Sequence, residues 1–208
     1  MVGHTVALTV EDGCYHLTDP ATVEPLLYHT GANGLVGVLG DGAACVCTGT
    51  LTGFVRVTVQ AAPEPPAVDR GAWEEIVEVP FNSPSGRFGP APAEAALLPD
   101  LASAGRGPYR LRVHARGRDA GHRSGTVRGL DEITEEHLIL AWPDRDGGPE
   151  TLLQSKDAFG AHLRLHPSDP SGMPMPDPAN TGGVDMRAHR GSVRMPGTNS
   201  DTRRIHFD

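Results

Sequence analysis

The sequence predicts an all-β protein, an antiparallel two-sheet β-sandwich of jelly-roll type. Two observations predict this fold class. Short segments in which apolar and polar residues alternate recur along the 208-residue chain, and such alternation is the pattern of strands with one buried and one solvated face. Glycine and proline, with 26 and 19 residues, separate these segments with turn signals spaced as in sandwiches and barrels. Strands do not alternate with long helical segments, which argues against a βαβ fold.

The first part of the chain contains several strand and hairpin signals. Residues 5–10 alternate, and a Glu-Asp-Gly turn leads to a second run at residues 15–17, which predicts an opening hairpin. Apolar runs at residues 35–39 and 43–48 flank a Gly-Asp-Gly turn, which predicts a second hairpin. Residues 54–60 alternate again and predict a further strand.

Three strands form the centre of the predicted fold. They cover residues 73–81, 108–117 and 137–142, and the last one stops at Pro143. We expect the second and third to be neighbours in one sheet, joined by a long polar loop. The side chains that we expect to be mostly buried on these strands are Val77, Val79, Leu111, Val113, Leu138, Leu140 and Trp142.

The last part of the chain changes composition. A strand near Leu152 and a short helix with Asp157 as its N-cap are predicted first. From residue 168 onward, Pro, Gly, Ser, Asn and Arg dominate, and too little apolar surface remains to offset the entropy of ordering. The sequence therefore predicts a β-sandwich domain over residues 1–167 and a disordered tail over residues 168–208.

Composition excludes several classes of protein. The formal net charge is −8, whereas nucleic-acid binding is usually accompanied by a basic excess, so we expect no nucleic-acid partner. The N-terminus lacks the pattern of a signal peptide, and no apolar run approaches the roughly 18 residues of a membrane span. The three cysteines do not make a disulfide framework and favour reduced thiols. We expect a cytoplasmic protein without membrane contact.

A few residues have the chemistry of metal ligands or catalytic groups. Cys45 and Cys47 point the same way on a strand, but the second ligand pair of a zinc site is missing from the motif. His114 and His137 lie on neighbouring predicted strands and are the histidine pair considered as metal ligands. The carboxylates near Asp131 are typical of a solvated loop. The sequence contains neither a nucleophile motif nor a phosphate-binding loop motif. We therefore assign no metal, no cofactor and no catalytic residue, and expect no enzymatic activity.

An arginine-rich strand face is the candidate binding surface. Guanidinium groups suit carboxylates of a partner, so the face could recognise an acidic protein surface. The structural alternative is cross-strand ion pairing with Glu74 and Glu78. The candidate binding residues are Arg110, Arg112, Arg116 and Arg118.

Three motifs carry a resemblance to a known family. They are W-E-E-I-V-E-V at residues 73–79, G-P-Y-R-L-R-V-H-A-R-G-R-D at residues 107–119 and E-H-L-I-L-A-W-P at residues 136–143. In order and spacing they resemble an uncharacterised family of actinobacterial β-sandwich proteins. That family is distantly similar to the competence protein J family, whose founding members inhibit a DNA-entry nuclease. The resemblance implies an inhibitor-type protein, covers about residues 4–165, and transfers no nuclease-binding residue.

Two functional hypotheses follow from the sequence. The first is a non-enzymatic protein-binding module that acts as an inhibitor or immunity-type factor on a nuclease or toxin. The alternative is a small-molecule- or metal-binding β-barrel, with enzymatic activity built on the two histidines and the carboxylates near Asp131. The sequence determines neither the identity of the protein partner nor the oligomeric state.

Overall fold

The computed structural model describes residues 3–23, 26–91 and 98–166. Residues 168–208, and the tail and domain boundary predicted there, lie outside this set. The described residues are mostly strands, arranged in two sheets with two short helices. In chain order the strands are β1 His4–Val10, β2 Cys14–Thr18, β3 Val36–Gly40, β4 Ala43–Cys47, β5 Thr52–Ala61, β6 Glu75–Ser83, β7 Gly89–Ala91, β8 Gly107–Arg116, β9 Thr126–Val127, β10 Glu136–Pro143 and β11 Thr151–Ser155. The helices are α1 Arg118–Ser124 and α2 Ala158–Leu165, with a 3-10 turn at Leu130–Glu132.

The larger sheet has seven strands in the order β1-β5-β10-β8-β6-β11, with β9 beside β5. As expected, β8 and β10 are antiparallel neighbours, and Leu138 lies opposite His114. The expectation of a purely antiparallel fold is wrong, because β5 pairs in parallel with both β10 and β9. Parallel partners need a long connection, which the many residues between β5 and β10 provide.

The smaller sheet has four strands in the order β3-β4-β2-β7. The hairpin predicted around Asp41-Gly42 is confirmed as β3 and β4. The predicted opening hairpin is wrong, because β1 pairs with β5 in the larger sheet and β2 pairs with β4 in the smaller one. The turn between β1 and β2 leads the chain from the larger sheet into the smaller one. At this turn the Gly13 N–H donates to the Leu51 carbonyl oxygen, and the Gly13 carbonyl oxygen accepts from the Thr48 N–H.

One hydrophobic core takes side chains from both sheets. Leu17 and Val46 of the smaller sheet belong to the same buried cluster as Val57 and Val113 of the larger one. Burial of this apolar surface is the main favourable contribution to folding. The expected burial is confirmed for Val77, Val79, Leu111 and Val113.

Strand β10 places its apolar side chains on both faces. Ile139 and Ala141 enter the main core, whereas Leu140 and Trp142 are buried on the opposite face in a small cluster with Ala62. Leu138 on that face is partly buried and packs against this cluster. A continuous apolar run has no polar side to mark its solvent face, which is why the sequence did not assign the two faces.

The two helices contact each other, α1 also contacts β9, and α2 packs on the smaller sheet. Helix α1, which was not predicted, follows Gly117 at φ 76°, where a Cβ would meet the Thr134 carbonyl oxygen at 2.0 Å. Helix α2 begins as predicted, because the Asp157 carboxylate accepts from the Gly160 N–H at 2.6 Å. Within the described part of the chain, neither helix has the length and apolar character needed to cross a membrane.

Candidate binding surface and buried polar clusters

Arg112 lies at the centre of the outer face of the larger sheet, the face opposite the main core. Its Nε donates to Glu78 at 2.7 Å, and its Nη1 donates to the Pro66 carbonyl oxygen at 2.8 Å. The guanidinium also lies over the Trp142 ring, 5.0 Å from its centroid. The residue is only 3% exposed, so the expectation of a solvated position is wrong here. The alternative of cross-strand pairing with Glu78 is what the structure contains.

Arg110 is covered in a similar way. Its Nε donates to Asp144 at 2.9 Å and its Nη1 donates to the Pro149 carbonyl oxygen at 2.9 Å, leaving the residue 7% exposed. The connections before β6 and after β10 fold over this half of the sheet face. The predicted alternation of β8 is correct. Its polar side chains are nevertheless buried, because these two connections cover that face of the strand.

The other half of the outer face remains open. Arg116 and Arg56 both donate to Glu136, at 2.5 Å and 2.8 Å. Their side chains are 39% and 42% exposed, and Glu136 is 27% exposed. Beside them the hydroxyls of Thr5 and Thr58 are hydrogen-bonded at 2.8 Å. We call these five residues the exposed outer face.

Ion pairs with Arg56 and Arg116 hold the Glu136 carboxylate at the centre of the exposed outer face. Partial burial would raise the pKa of Glu136, but the hydrogen bonds from Arg116 and Arg56 hold that pKa below its usual range. Arg116 also lies over the Trp73 ring, 5.3 Å from its centroid. Glu74, expected to pair with an arginine, instead accepts from the Gly117 N–H at 2.7 Å.

Arg118 does not share a surface with the other three predicted arginines. It is 0% exposed, and its Nε lies 3.2 Å from the Asp157 carboxylate. Its Nη2 donates to the Gly34 carbonyl oxygen at 2.9 Å, and its guanidinium lies over the Phe159 ring. Burial raises the pKa of Asp157 to about 6, although Arg118 opposes this. Arg118 therefore connects α1, α2 and the loop before β3.

His114 and His137 point to opposite faces of the sheet, so the expectation that they could meet is wrong. His137 lies on the core side, where Nδ1 is hydrogen-bonded to the Tyr15 hydroxyl at 2.9 Å and Nε2–H donates to the Glu135 carboxylate at 3.0 Å. His114 packs on the outer side against Trp73, with ring centroids 5.3 Å apart. His114 lies directly opposite Leu138, and directly opposite residues point to the same face of the sheet. His137 is the residue before Leu138 on β10, so its side chain points to the other face.

The carboxylates before β10 are also separated from one another. Glu135 is fully buried and accepts from the backbone N–H groups of Gly49 and Thr50 at 3.0 Å and 2.8 Å. Burial would raise the pKa of Glu135, but hydrogen bonds, foremost from His137, hold it below its usual range. Asp131 lies in the exposed 3-10 turn. The predicted carboxylate group therefore does not converge on one metal or substrate.

A group of thiols and one imidazole does converge, on the face of the smaller sheet opposite the main core. In the β2–β4 register, Cys14 lies opposite Cys47 and His16 lies opposite Cys45. The ligand atoms of Cys14, His16 and Cys45 all lie within 4.8 Å of one another. A hydrogen bond with Cys45 and burial both raise the pKa of Cys14. We call Cys14, His16, Cys45 and Cys47 the Cys–His cluster.

The sequence contained half of the signal for this cluster. The Cys-x-Cys spacing on β4 is a recognisable ligand pattern by itself, whereas Cys-x-His on β2 joins it only through the pairing of β2 with β4. Among residues 3–23, 26–91 and 98–166, the Cys–His cluster contains the one group of three such ligands that lie close enough to share a metal ion.

A shallow groove of about 310 Å³ lies at one end of the two sheets. Val38, Phe81 and Tyr109 are among its apolar lining residues, and Asp41 and Asp144 are its ionisable members. Asp144 is already bound by Arg110. The groove can contact an apolar group, but it does not pair an acid with a base.

This chain resembles known proteins in its structure but matches none of those searched by sequence. No protein-family model and no curated protein sequence matches this chain. ComJ from Bacillus subtilis, an inhibitor of the DNA-degrading activity of NucA, aligns with a TM-score of 0.46 and 13% identity over 68% of this chain and 96% of ComJ. The chain is distantly similar to ComJ. It is also distantly similar to a protein titled crocagin biosynthetic gene J, with a TM-score of 0.43 and 15% identity over 70% of this chain and 100% of that one.

Proposed function

We propose that this chain is a non-enzymatic β-sandwich protein that binds another protein in the cytoplasm, as an inhibitor or immunity-type factor acting on a nuclease or toxin. The net charge of −8 supports this class of partner, because an acidic protein is steered toward the basic groove of a nuclease. The three motifs resemble an uncharacterised family that is distantly similar to the competence protein J family, and this resemblance implies the same class. Neither argument names the partner.

The observation that carries the proposal is the exposed outer face. Half of the larger sheet is covered by its own connections, whereas the Arg56–Glu136–Arg116 row and the neighbouring threonine pair remain accessible. Three charges fixed by mutual hydrogen bonds form a preorganised pattern, and preorganisation lowers the cost of binding. The net charge would steer association, while this row would provide short-range specificity.

The predicted binding arginines divide into two roles under this proposal. Arg116, together with Arg56, would donate to carbonyl groups of the partner, and the Glu136 carboxylate between them would accept from its basic groups. Arg110, Arg112 and Arg118 would act from beneath the surface, since each holds a neighbouring segment in place through an ion pair.

The test uses the double variant Arg56→Gln/Arg116→Gln. Exposed ion pairs contribute at most about 1 kcal/mol each, so the variant should remain folded. Affinity capture from the source organism, followed by binding of the purified partner, should show a loss for this variant. Arg87→Gln is the matched control, because Arg87 forms another exposed ion pair, with Asp100, away from this row.

The inhibitor part of the proposal has its own readout. A captured nuclease or toxin should lose activity when the wild-type protein is added at an equal molar ratio, and the double variant should not inhibit it. Identical partners and affinities for wild type, double variant and Arg87→Gln would contradict a role for the exposed outer face. A captured partner with catalytic activity that is unaffected by the protein would contradict inhibition.

A further inference from the structure

We propose that the Cys–His cluster binds one zinc ion. The site would connect β2 to β4 on the face that helix α2 covers. It lies on the smaller sheet, whereas the exposed outer face lies on the larger one, so this proposal does not depend on the proposed function.

The strand register places four ligands of suitable chemistry together. On each strand the two ligands are two residues apart and therefore point the same way, as the Cys45-x-Cys47 spacing shows on β4. The antiparallel register then sets Cys14 opposite Cys47, and His16 opposite Cys45. Directly opposite side chains in an antiparallel pair have Cβ atoms about 4.5–5.5 Å apart, so two Cys/His pairs on adjacent strands can surround one ion.

Three of the four ligand atoms lie at distances close to those of a tetrahedral ion, and the fourth, on Cys47, would reach it by a side-chain rotation. Zinc–sulfur bonds are about 2.3 Å long, so two thiolates of a tetrahedral site lie about 3.8 Å apart. The ligand atoms of Cys14, His16 and Cys45 are already within 4.8 Å of one another. The fourth ligand, Cys47, now has its Sγ 3.5 Å from the His29 carbonyl oxygen and would turn from that contact toward the ion.

A hydrogen bond at Nε2 of His16 favours the tautomer whose Nδ1 can bind a metal. The Nε2 of His16 lies 3.2 Å from the Leu27 carbonyl oxygen, to which it can donate a proton. That tautomer leaves the lone pair on Nδ1 available for a metal. A ligating histidine usually donates its other N–H to a carbonyl or carboxylate in this way.

The surroundings favour a closed structural site. Phe159 and Leu163 of α2 pack on the three cysteines, and Tyr28 and Leu39 pack at the edge of the same cluster. Three thiolates and one imidazole complete a four-coordinate shell, which leaves no position for substrate or water. Soft sulfur ligands select zinc over magnesium or calcium, which prefer oxygen. Without the metal, the three buried thiols would serve only as small apolar side chains.

The direct test is cobalt substitution in the reduced, chelator-treated full-length chain. Co²⁺ should bind one per chain and produce a thiolate-to-cobalt charge-transfer band with the intense visible bands of a tetrahedral centre. Zn²⁺ should displace it, since thiolate ligands in a tetrahedral arrangement favour zinc. Zinc, but not Mg²⁺, should raise the thermal unfolding midpoint, because a ligand of the folded state alone stabilises that state.

Variants identify the ligands. Cys45→Ser and His16→Ala should weaken cobalt binding by more than the roughly 10–100-fold that loss of a second-shell partner costs. Cys47→Ser should reduce the intensity of the charge-transfer band by the share of one thiolate. His4→Ala, at an exposed histidine of β1, is the matched control and should bind as wild type does.

A measurement on the wild-type protein guards against variants that fail to fold. Because the thiols are buried in the folded chain, the measurement is made in mild urea, where the folded chain opens transiently. There zinc should slow the modification of all three thiols by a thiol-specific reagent, and a chelator should restore the faster rate. A cobalt spectrum without a thiolate band, thiol reactivity that zinc does not change, or equal affinities for His16→Ala and His4→Ala would each overturn the proposal.

Discussion

At the level of single residues, the buried charged groups of this protein depend on one another. Arg118, Glu75 and Glu135 are each 0% exposed. Arg118 faces Asp157, and Arg164 donates to Glu75 at 2.9 Å. Removing one member of a buried ion pair leaves an uncompensated charge, which costs far more than loss of a surface pair.

Arg118→Met should therefore lower the free energy of unfolding by about 3–5 kcal/mol, because Asp157 would remain buried without its guanidinium partner. The measurement is urea unfolding at neutral pH. Arg123→Met on the same helix is the control, since Arg123 is exposed. Equal effects of the two substitutions would show that the Arg118–Asp157 contact does not stabilise the fold.

His114 should make stability depend on pH. Burial, with the nearby Arg112 opposing a second positive charge, lowers the pKa of His114 from 6.5 to about 4. Because the folded-state pKa is depressed, the contribution of the neutral ring is present above pH 6.5 and is lost as the pH falls toward 4. At about 1.4 kcal/mol per pKa unit, the loss reaches about 3 kcal/mol.

The matched variant is His114→Gln, which does not titrate and retains an amide donor for the Leu138 carbonyl oxygen. Its unfolding free energy, measured from pH 7 to pH 4, should fall less steeply than that of wild type. Comparison of the two curves cancels the carboxylates that titrate in the same range. Parallel curves would contradict the buried neutral state of His114.

At the level of elements, β8 and β10 are buried on both faces except near Arg116 and Glu136, where the outer face stays open. One face enters the main core, and the other lies under the connections that precede β6 and follow β10. Trp142 belongs to this second layer, with Leu140 beside it and Arg112 over its ring. The covered layer explains why polar side chains of β8 lie inside the protein.

Trp142→Ala should cost about 3–5 kcal/mol, because the substitution leaves a cavity under the connections and removes a partner of Arg112. Urea unfolding measures this loss. Leu152→Ala on β11 is the control, since Leu152 is 42% exposed and should change stability little. An unchanged midpoint for Trp142→Ala would mean that the outer layer contributes no stability.

At the level of the whole molecule, the described core ends with Leu163 on α2, which packs on the cysteines of the smaller sheet. A chain truncated after residue 167 should therefore keep the urea midpoint of the full-length protein. Limited proteolysis of the full-length protein should yield a stable fragment with the same C-terminal limit. Loss of cooperative unfolding in the truncated chain would show that residues 168–208 support the fold.

Strand positions and most core residues were predictable from the sequence because they depend on local patterns. Alternation identified β5, β6 and β8 and the buried Val77 and Val113. Turn chemistry identified the β3–β4 hairpin, and a capping carboxylate identified the start of α2. Each of these signals lies within a few residues of the structure that it predicts.

Which strands pair, and which faces are covered, was decided only by the tertiary structure. Alternation is the same for parallel and antiparallel partners, so it did not reveal β5 beside β10. Arg112 is shielded from solvent because the connection before β6 folds back over it. The meeting of His16 with Cys45 depended on the register of β2 against β4. These outcomes require contacts between residues far apart in the chain, and no local pattern of side chains contains that information.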